Sequence, residues 1–472
     1  MVEQQLIKEV LDKAMQKGGD FGDIYIEQKR STAIRCEAGK IEKIQSGVDI
    51  GAGVRVISGE ATAYAYTNDL SREGLLNVAG IVSHAAAGAK KDINLDFTKV
   101  KPLVEFSFEE KPSDVDTYRK VEAVLAADQA ARAVDNSLVK QVIVGYGDVV
   151  QQVTMANSAG EYVEDERIRT RLVVQAVAVS GAVMQTGYEA VGGLSGFELL
   201  HKDLPAQVGG TAARKAVNML SAQPAPAGRM PVVIAGEAGG TMVHEACGHG
   251  LEADLVQKGL SVYAGKKGRL VASEEISVVE DPTLNAKYGS YSFDDEGIPS
   301  RKVTLIENGV LNDFMYDRLT AANDGVQSNG HGRRESYQHK PIPRMGNTII
   351  APGKTDPARI IRETGTGLLV KKMGGGQVNT TTGDFVFDVA EGYLIQDGEV
   401  GPMVRGATLT GNGPEVLRIV EMVGKDLGFA IGTCGKDGQG VPVSDAQPTL
   451  AIKELIVGGT ATGNSNGKIR RL

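Results

Sequence analysis

Two histidines, a glutamate and a cysteine fall within the stretch HEACGHG, His244 to Gly250. Imidazole and thiolate are borderline-to-soft metal ligands, and a carboxylate beside them can take a proton from an activated water. The zinc-hydrolase helix His-Glu-x-x-His sets its ligands four residues apart. Here His244 and His249 are five apart, with Glu245 directly after the first. At about 100° per residue, four residues return to within roughly 40° of one face, whereas five leave the imidazoles about 140° apart. A regular α-helix therefore cannot aim both rings at one ion. Either the helix carries a π-bulge, or it ends between the histidines at Gly248, where glycine accepts backbone angles that bulky residues resist. A short buried helix with hydrogen-bonded histidines is the competing reading.

A catalytic zinc site takes three protein ligands and leaves a fourth position open. Four residues are candidates for the third ligand: Cys247, Glu252, Asp254 and the distant Cys434 in GTCGKDGQGVP. The Cys434 stretch is flanked by glycines and has no apolar pattern, so its thiol is poorly explained as core. On the residues alone Cys434 and Glu252 rank equal. A second chemical candidate is the basic, glycine-rich SNGHGRRES, Ser328 to Ser336. Its His331, Arg333 and Arg334 could form a lip that holds a substrate carboxylate or polarises a carbonyl. Asp294-Asp295-Glu296 reads as a solvated turn, and His84, His201 and His339 as isolated structural histidines. PGKT at Pro352 lacks the P-loop glycine, since Thr348 stands there, and GAGVRVISG has two of three dinucleotide glycines. Nucleotide binding is not expected.

The elements that position these groups follow from periodicity. An amphipathic helix carries Leu6, Ile7, Val10, Leu11, Ala14 and Met15 on one face and stops at Gly18-Gly19. Residues 23–67 alternate as five short strands joined by glycine turns. Helices follow near 72–87, over about 116–134 opened by Ser113, and over about 205–220, with three strands across 138–187 between the last two. SAQPAPAGRMP, residues 221–231, reads as a linker. The second half then opens with a strand, a glycine turn and the His-Glu helix. Asn308-Gly309 and Asp397-Gly398 are hairpin signals, and Asp356-Pro357 starts a short helix. The expected class is α+β: two domains, 1–222 and 223–472, mainly antiparallel sheets with flanking helices, the metal-site helix opening the second.

Composition narrows the function classes. A chain of 472 residues with 42% hydrophobic and 23% charged residues has ample core for two domains. Sixty glycines suit many tight turns, and a net charge of −8 argues against sequence-independent nucleic-acid binding. Three scattered cysteines, an odd number, suit a reducing compartment without a disulfide framework. The longest apolar run, Leu172 to Met184, is too short to span a bilayer, and the N-terminal helix has no signal-peptide core. A cytoplasmic protein with no membrane partner is expected.

HEACGHGLEADLV, GRRESYQHKPIPRMGNT, GGGQVNTTTGDFVF and GTCGKDGQGVPVSDAQPTL followed by VGGT together resemble the TldD/PmbA family of metallopeptidases, in its metal-bearing TldD branch. The resemblance covers the second half in order; the first half fits in length and layout. It implies a zinc ion held by His244, His249 and Cys434, with Glu245 as general base and Cys247 at a variable position. It implies hydrolysis of unfolded peptides in a chamber between two subunits, in the maturation of peptide antibiotics or the degradation of small antitoxin-like proteins. The partner subunit is a second copy or a metal-free PmbA/TldE homologue. Hydrolysis of a non-peptide amide is one rival reading. Another is a non-catalytic protein-binding role, since family members are also described as modulators of DNA gyrase.

Overall fold

The computed structural model describes residues 2–86 and 93–459. The N-terminal half is built on one seven-stranded sheet of β1 (Phe21–Glu37), β2 (Lys40–Ser58), β3 (Ala61–Thr67), β4 (Asn94–Lys99), β5 (Val139–Asn157), β6 (Ala159–Ser180) and β7 (Val183–Gly193). The order is β3-β2-β1-β5-β6-β4, with β7 also paired to β6 and only the β4–β6 pair parallel. Side chains alternate faces with a period of two, and the four long strands keep that parity except at bulges near residues 41–43 and 139–141. Even-numbered Ile24, Ile26, Ala52, Val54, Val56 and Ala156 pack under helices α1 (Gln4–Ala14) and α2 (Arg72–Ala85). Even-numbered Ile34, Cys36, Val142, Val144, Leu172 and Val174 pack under α3 (Thr117–Ala133) and α4 (Leu204–Leu220). All four helices thus cover one face, at opposite ends of the strands. Burying each such aliphatic side chain is worth about 1.5–3 kcal/mol.

The odd-numbered face receives the C-terminal half. Tyr25, Val153, Met155 and Val163 form a small core with Phe293 and Tyr337 from across the seam. The five short strands expected over 23–67 are three long ones: β1 runs unbroken through Lys29 and Arg30, and further on Gly51 and Gly53 are not turns. They sit inside β2, where a Cβ would overlap the Tyr337 ring at residue 51 and the Tyr64 hydroxyl at residue 53. The glycines make room for a residue almost three hundred positions later, which no local pattern reveals. Asp294, Asp295 and Glu296 correct a second expectation. All three are buried, not solvated: Asp294 accepts the Glu296, Ile298 and Gly332 amides, while Glu296 pairs with Arg55 at 2.7 Å and Asp295 with Arg167 at 2.5 Å, both arginines of the N-terminal sheet. Arg55 also pairs with Asp23. Two smaller corrections concern boundaries. Asp116, not Ser113, caps α3, and α2 runs to Ala85, residue 87 of the expected helix lying outside the described residues.

In the C-terminal half, Gly228–Ile234, Gly367–Val378, Asp384–Gln396, Thr408–Asn412 and Leu450–Gly458 pair in a closed ring of five strands. The stretch read as a linker is built into this sheet: Gln223 and Pro224 pair with Val404 and Arg405, and Ala225 is buried. Val232, Ile234, Leu368, Phe385, Phe387 and Leu409 share one core with Met242, Val243 and Ala246 of the His-Glu segment. A second sheet, of six strands, runs Val310–Leu311, Val303–Glu307, Val278–Glu280, Asn347–Ile350, Gln439–Gln447 and Gly428–Lys436, the last at its edge. The expected Asn308-Gly309 and Asp397-Gly398 turns are present, all four residues at positive φ. Asp437-Gly438, of the same kind, turns the hairpin that carries Cys434. No described helix is long and apolar enough to cross a membrane.

Arg55 has a side chain only 2% exposed and bridges a carboxylate from each half. Removing one partner of a buried ion pair leaves uncompensated charge, at a cost of about 3–5 kcal/mol. Arg55→Met should lower unfolding free energy by about that amount in chemical denaturation, whereas the exposed Arg35→Met should change it by less than about 1 kcal/mol.

Candidate metal centre

The backbone around the histidines departs from α geometry where the five-residue spacing demands it. Thr241–Val243 is one α turn, His244–Gly248 is a π-helix, and His249–Leu251 closes as a 3-10 turn. The His249 amide donates to the His244 carbonyl, an i→i+5 bond that returns the chain to the same face after five residues. The two rings then stand edge to face with centroids 4.9 Å apart. Gly248 sits at φ −51 and ψ −61, ordinary helical angles, so the alternative of a helix broken by glycine geometry does not hold. Glycine is needed there for space. A Cβ at residue 248 would overlap the Met345 sulfur.

Cys434 completes the cluster. One ligand atom each from His244, His249 and Cys434 lies within 4.8 Å of the others, and the Cys434 Sγ is 3.5 Å from His249 Nε2. Each ring is fixed from behind by a carboxylate. His244 Nδ1 lies 2.9 Å from Asp445, and His249 Nδ1 lies 3.0 Å from Glu252. A carboxylate accepts the Nδ1 proton, which leaves Nε2 with its lone pair directed to the cluster. Burial opposes the thiolate, but the two imidazoles beside it outweigh burial and bring Cys434 down to about 5. Burial likewise opposes the charged form of His249, and Glu252 and Cys434 raise it to about 10. Two imidazoles and a readily formed thiolate at this separation are a donor set that fits a divalent transition metal.

The other sequence candidates lie outside the cluster. Cys247 is fully buried, donates weakly to the Val243 carbonyl at 3.4 Å, and is pushed up to about 12 by burial. Glu252 stands behind His249. Burial opposes its charge, yet Lys436 at 3.2 Å and His249 bring it down to about 2. Asp254 pairs with the same Lys436 at 2.6 Å. The lip expected from His331, Arg333 and Arg334 does not face the cluster. His331 is wholly buried beside Asn329, Arg333 donates to the Met345 and Pro442 carbonyls, and Arg334 donates to the Asp295 carbonyl. Their charge serves the seam between the halves. His84, His201 and His339 make separate contacts with Gly80, Glu110 and Ser336.

Glu245 directly follows His244, is half-buried, and no described residue hydrogen-bonds its carboxylate. Burial raises its pKa above the ordinary 4.5, against the lowering charges of His244 and His249. Asp445, Lys436 and Arg344 were missed by sequence reasoning. Lys436 had a signal: two residues beyond Cys434 on one strand, it shares that residue's face. Arg344 is fully buried and donates to the Cys434 carbonyl, and only the tertiary fold brings it there.

Family models for domain 1, the central domain and the C-terminal domain of PmbA/TldA metallopeptidases match residues 22–86, 110–220 and 227–459. The chain belongs to the TldD/PmbA family of metallopeptidases. A relative from Haemophilus influenzae named metalloprotease TldD homolog is 35% identical over 465 residues, 97% of this chain and 96% of that protein. One from Saccharolobus solfataricus, named zinc metalloprotease TldD homolog, is 28% identical over 95% of this chain and 99% of its own. A crystal structure from Thermotoga maritima, of a suggested modulator of a DNA gyrase, superposes with a TM-score of 0.80 at 23% identity, covering 97% of this chain and all of that one. It shares the TldD/PmbA fold.

Metal affinity in four variants tests the donor set. Cys434→Ser should abolish tight metal binding in a competition titration, while Cys247→Ala leaves it within a few-fold. Asp445→Asn, which removes only a buttress, should cost about 10–100-fold in affinity. Gly248→Val should also weaken metal binding although it removes no ligand, because the Met345 sulfur occupies the space a side chain needs.

Proposed function

We propose that this chain is a zinc-dependent peptidase that hydrolyses unfolded or extended peptides. The observation that carries the reading is the convergence of His244, His249 and Cys434 through a π-helical segment, with Glu245 beside them. Zinc bound by these three residues would polarise a scissile carbonyl and lower the pKa of water at the remaining position. Glu245 accepts the water proton and delivers it to the leaving amine, and its partial burial raises its basicity towards that task. Asp445 and Glu252 hold the imidazole orientations throughout.

The preference for extended chains rests on a sheet edge. Gly428–Lys436 carries Cys434 and is the outermost strand of its sheet, so a substrate strand can pair with its backbone and read few side chains. A cavity of about 410 Å³ runs beside Phe429, Ala430 and Ile431, walled opposite by Tyr188 of β7 and by Gly374 and Gly375. The assembly we propose contains a second subunit, either a copy of this chain or a metal-free PmbA/TldE homologue. A purely non-catalytic binding role leaves the converged, buried donor set and its two buttressing carboxylates unused.

Glu245→Gln should keep bound zinc and lose about 10²–10⁴-fold in peptide cleavage. Zinc content and cleavage of a denatured protein beside its folded form, for wild type and variant, test this reading. Equal digestion of the folded and denatured forms would overturn the extended-peptide claim, and full activity in the variant would overturn the role of Glu245. In wild type the acid limb of kcat/KM should lie above the ordinary carboxylate value of 4.5, because burial raises Glu245 and only its unprotonated form accepts the proton.

A further inference from the structure

A second site lies in the seam between the halves. It is a cavity of about 300 Å³ on the odd-numbered face of the N-terminal sheet, and none of His244, Glu245, His249 or Cys434 lines it. Thr433 and Pro442 on its wall are paired across the Cys434 hairpin, one register step from the Cys434–Val441 pair, so their side chains leave the opposite face from the thiol. The wall is cationic. Lys29, Arg167, Arg169 and Arg171 come from the sheet, and Arg333 and Arg334 from the glycine-rich loop.

Two of the three carboxylates in the same wall pair with cations, and the third, Glu335, holds only a backbone amide. Asp295 is taken by Arg167, Asp148 by Lys120 at 2.7 Å, and Glu335 accepts the Gly440 amide at 2.5 Å. Among the described residues, Arg169, Arg171, Arg333 and Arg334 pair with no carboxylate side chain through their guanidiniums. Arg169 donates only to the Tyr288 and Ser290 carbonyls, at 2.9 and 2.7 Å, and Arg333 only to carbonyls. Carbonyls satisfy hydrogen bonds without cancelling charge. The Arg334 Nε is buried without a hydrogen-bond partner, its guanidinium lying over the Tyr25 ring at 4.4 Å. Burial first, and then the neighbouring Arg333 and Arg167, hold Arg169 down to about 9. Arg169, Arg333 and Arg334 are buried, whereas Arg171 is exposed, and buried cations of one sign are retained at a cost unless a counter-charge joins them.

We propose that this seam binds a small oxyanion, a carboxylate or a phosphate, held by Arg169, Arg171, Arg333 and Arg334 and bridging the two halves of the chain. Planar guanidinium forks match both oxyanions in pairs of parallel hydrogen bonds. The volume stands at the low end of small-molecule sites and is enough for an anionic group. The two sources of such a group are free phosphate and the C-terminal carboxylate of a peptide. The inference does not rest on the hydrolytic reading, since the residues and the cavity are separate from the metal cluster.

The test is calorimetric titration of the full-length, chelator-treated protein at constant ionic strength. One arm titrates inorganic phosphate against a chloride control. The other titrates a short peptide with a free C-terminal carboxylate against its C-terminal amide. Saturable one-to-one binding is expected from phosphate, from the acid peptide, or from both in competition. It should weaken at least tenfold in Arg171→Gln and in Lys29→Gln, neither of which breaks an ion pair, and stay unchanged in the exposed Lys43→Gln. Binding of the acid peptide and not the amide assigns the site to a peptide terminus, and binding of phosphate alone assigns it to the free anion. Absence of saturable binding in both arms overturns the proposal, as does binding that both cavity variants retain in full. Because the protein is metal-free, cleavage plays no part in the result, and a failed peptidase assay leaves this outcome readable.

Discussion

His244 and His249 can face one point because the helix between them is wound with i→i+5 hydrogen bonds. In α geometry their rings would diverge by about 140°, and no rotamer of a short imidazole side chain spans that gap. The π segment is tolerated because its surroundings over-determine it. Gly248 lets the Met345 sulfur close on one side, Gly413 approaches the Ala246 backbone on another, and the Tyr263 hydroxyl donates to the Ala246 carbonyl at 3.1 Å. Glu245, the second residue of the π segment, is delivered beside the cluster by the same winding.

A converged donor set needs its charges arranged in advance. The strand Gly428–Lys436 contributes two groups from one face: the Cys434 thiol and the Lys436 ammonium, which reaches Glu252 and Asp254. Glu252 is completely buried and its charge survives there because Lys436, His249 and Arg344 surround it. The thiol, the cation and the carboxylate behind His249 are thus one electrostatic unit. The Asp437-Gly438 turn sets the register of that unit, since a slip of one residue would exchange the faces of Cys434 and Thr433.

The two halves are held by charge as much as by apolar contact. One face of the N-terminal sheet is sealed by four helices, and the other presents Arg55, Arg167, Arg169 and Arg171 to the C-terminal half. Asp295 and Glu296 answer two of these cations, and Tyr337 enters the space left by Gly51 and Gly53. The remaining arginines face a cavity. The seam is therefore both a structural joint and a place where a charged ligand has something to bind.

Local signals were enough for the helices, the Asn308-Gly309 and Asp397-Gly398 hairpins, and the demand for a deformed helix between His244 and His249. Each depends on residues within a turn or two of one another, so period, spacing and turn chemistry speak directly. The residues alone left Cys434 and Glu252 level as the third ligand. The resemblance to TldD proteins favoured Cys434, and the fold set it beside the histidines and set Glu252 behind one of them. What only the tertiary structure decided are interactions between residues far apart in the chain. Glycines that looked like turns in β2 are seats for Tyr337, and acids that looked solvated at 294–296 are buried, two of them against arginines more than a hundred residues earlier. The basic loop at 331–334 belongs to the seam and not to the metal cluster. A residue's type fixes its charge and volume, but burial and partnership are properties of the packed chain. The exchange of water for a distant partner leaves no trace in local sequence.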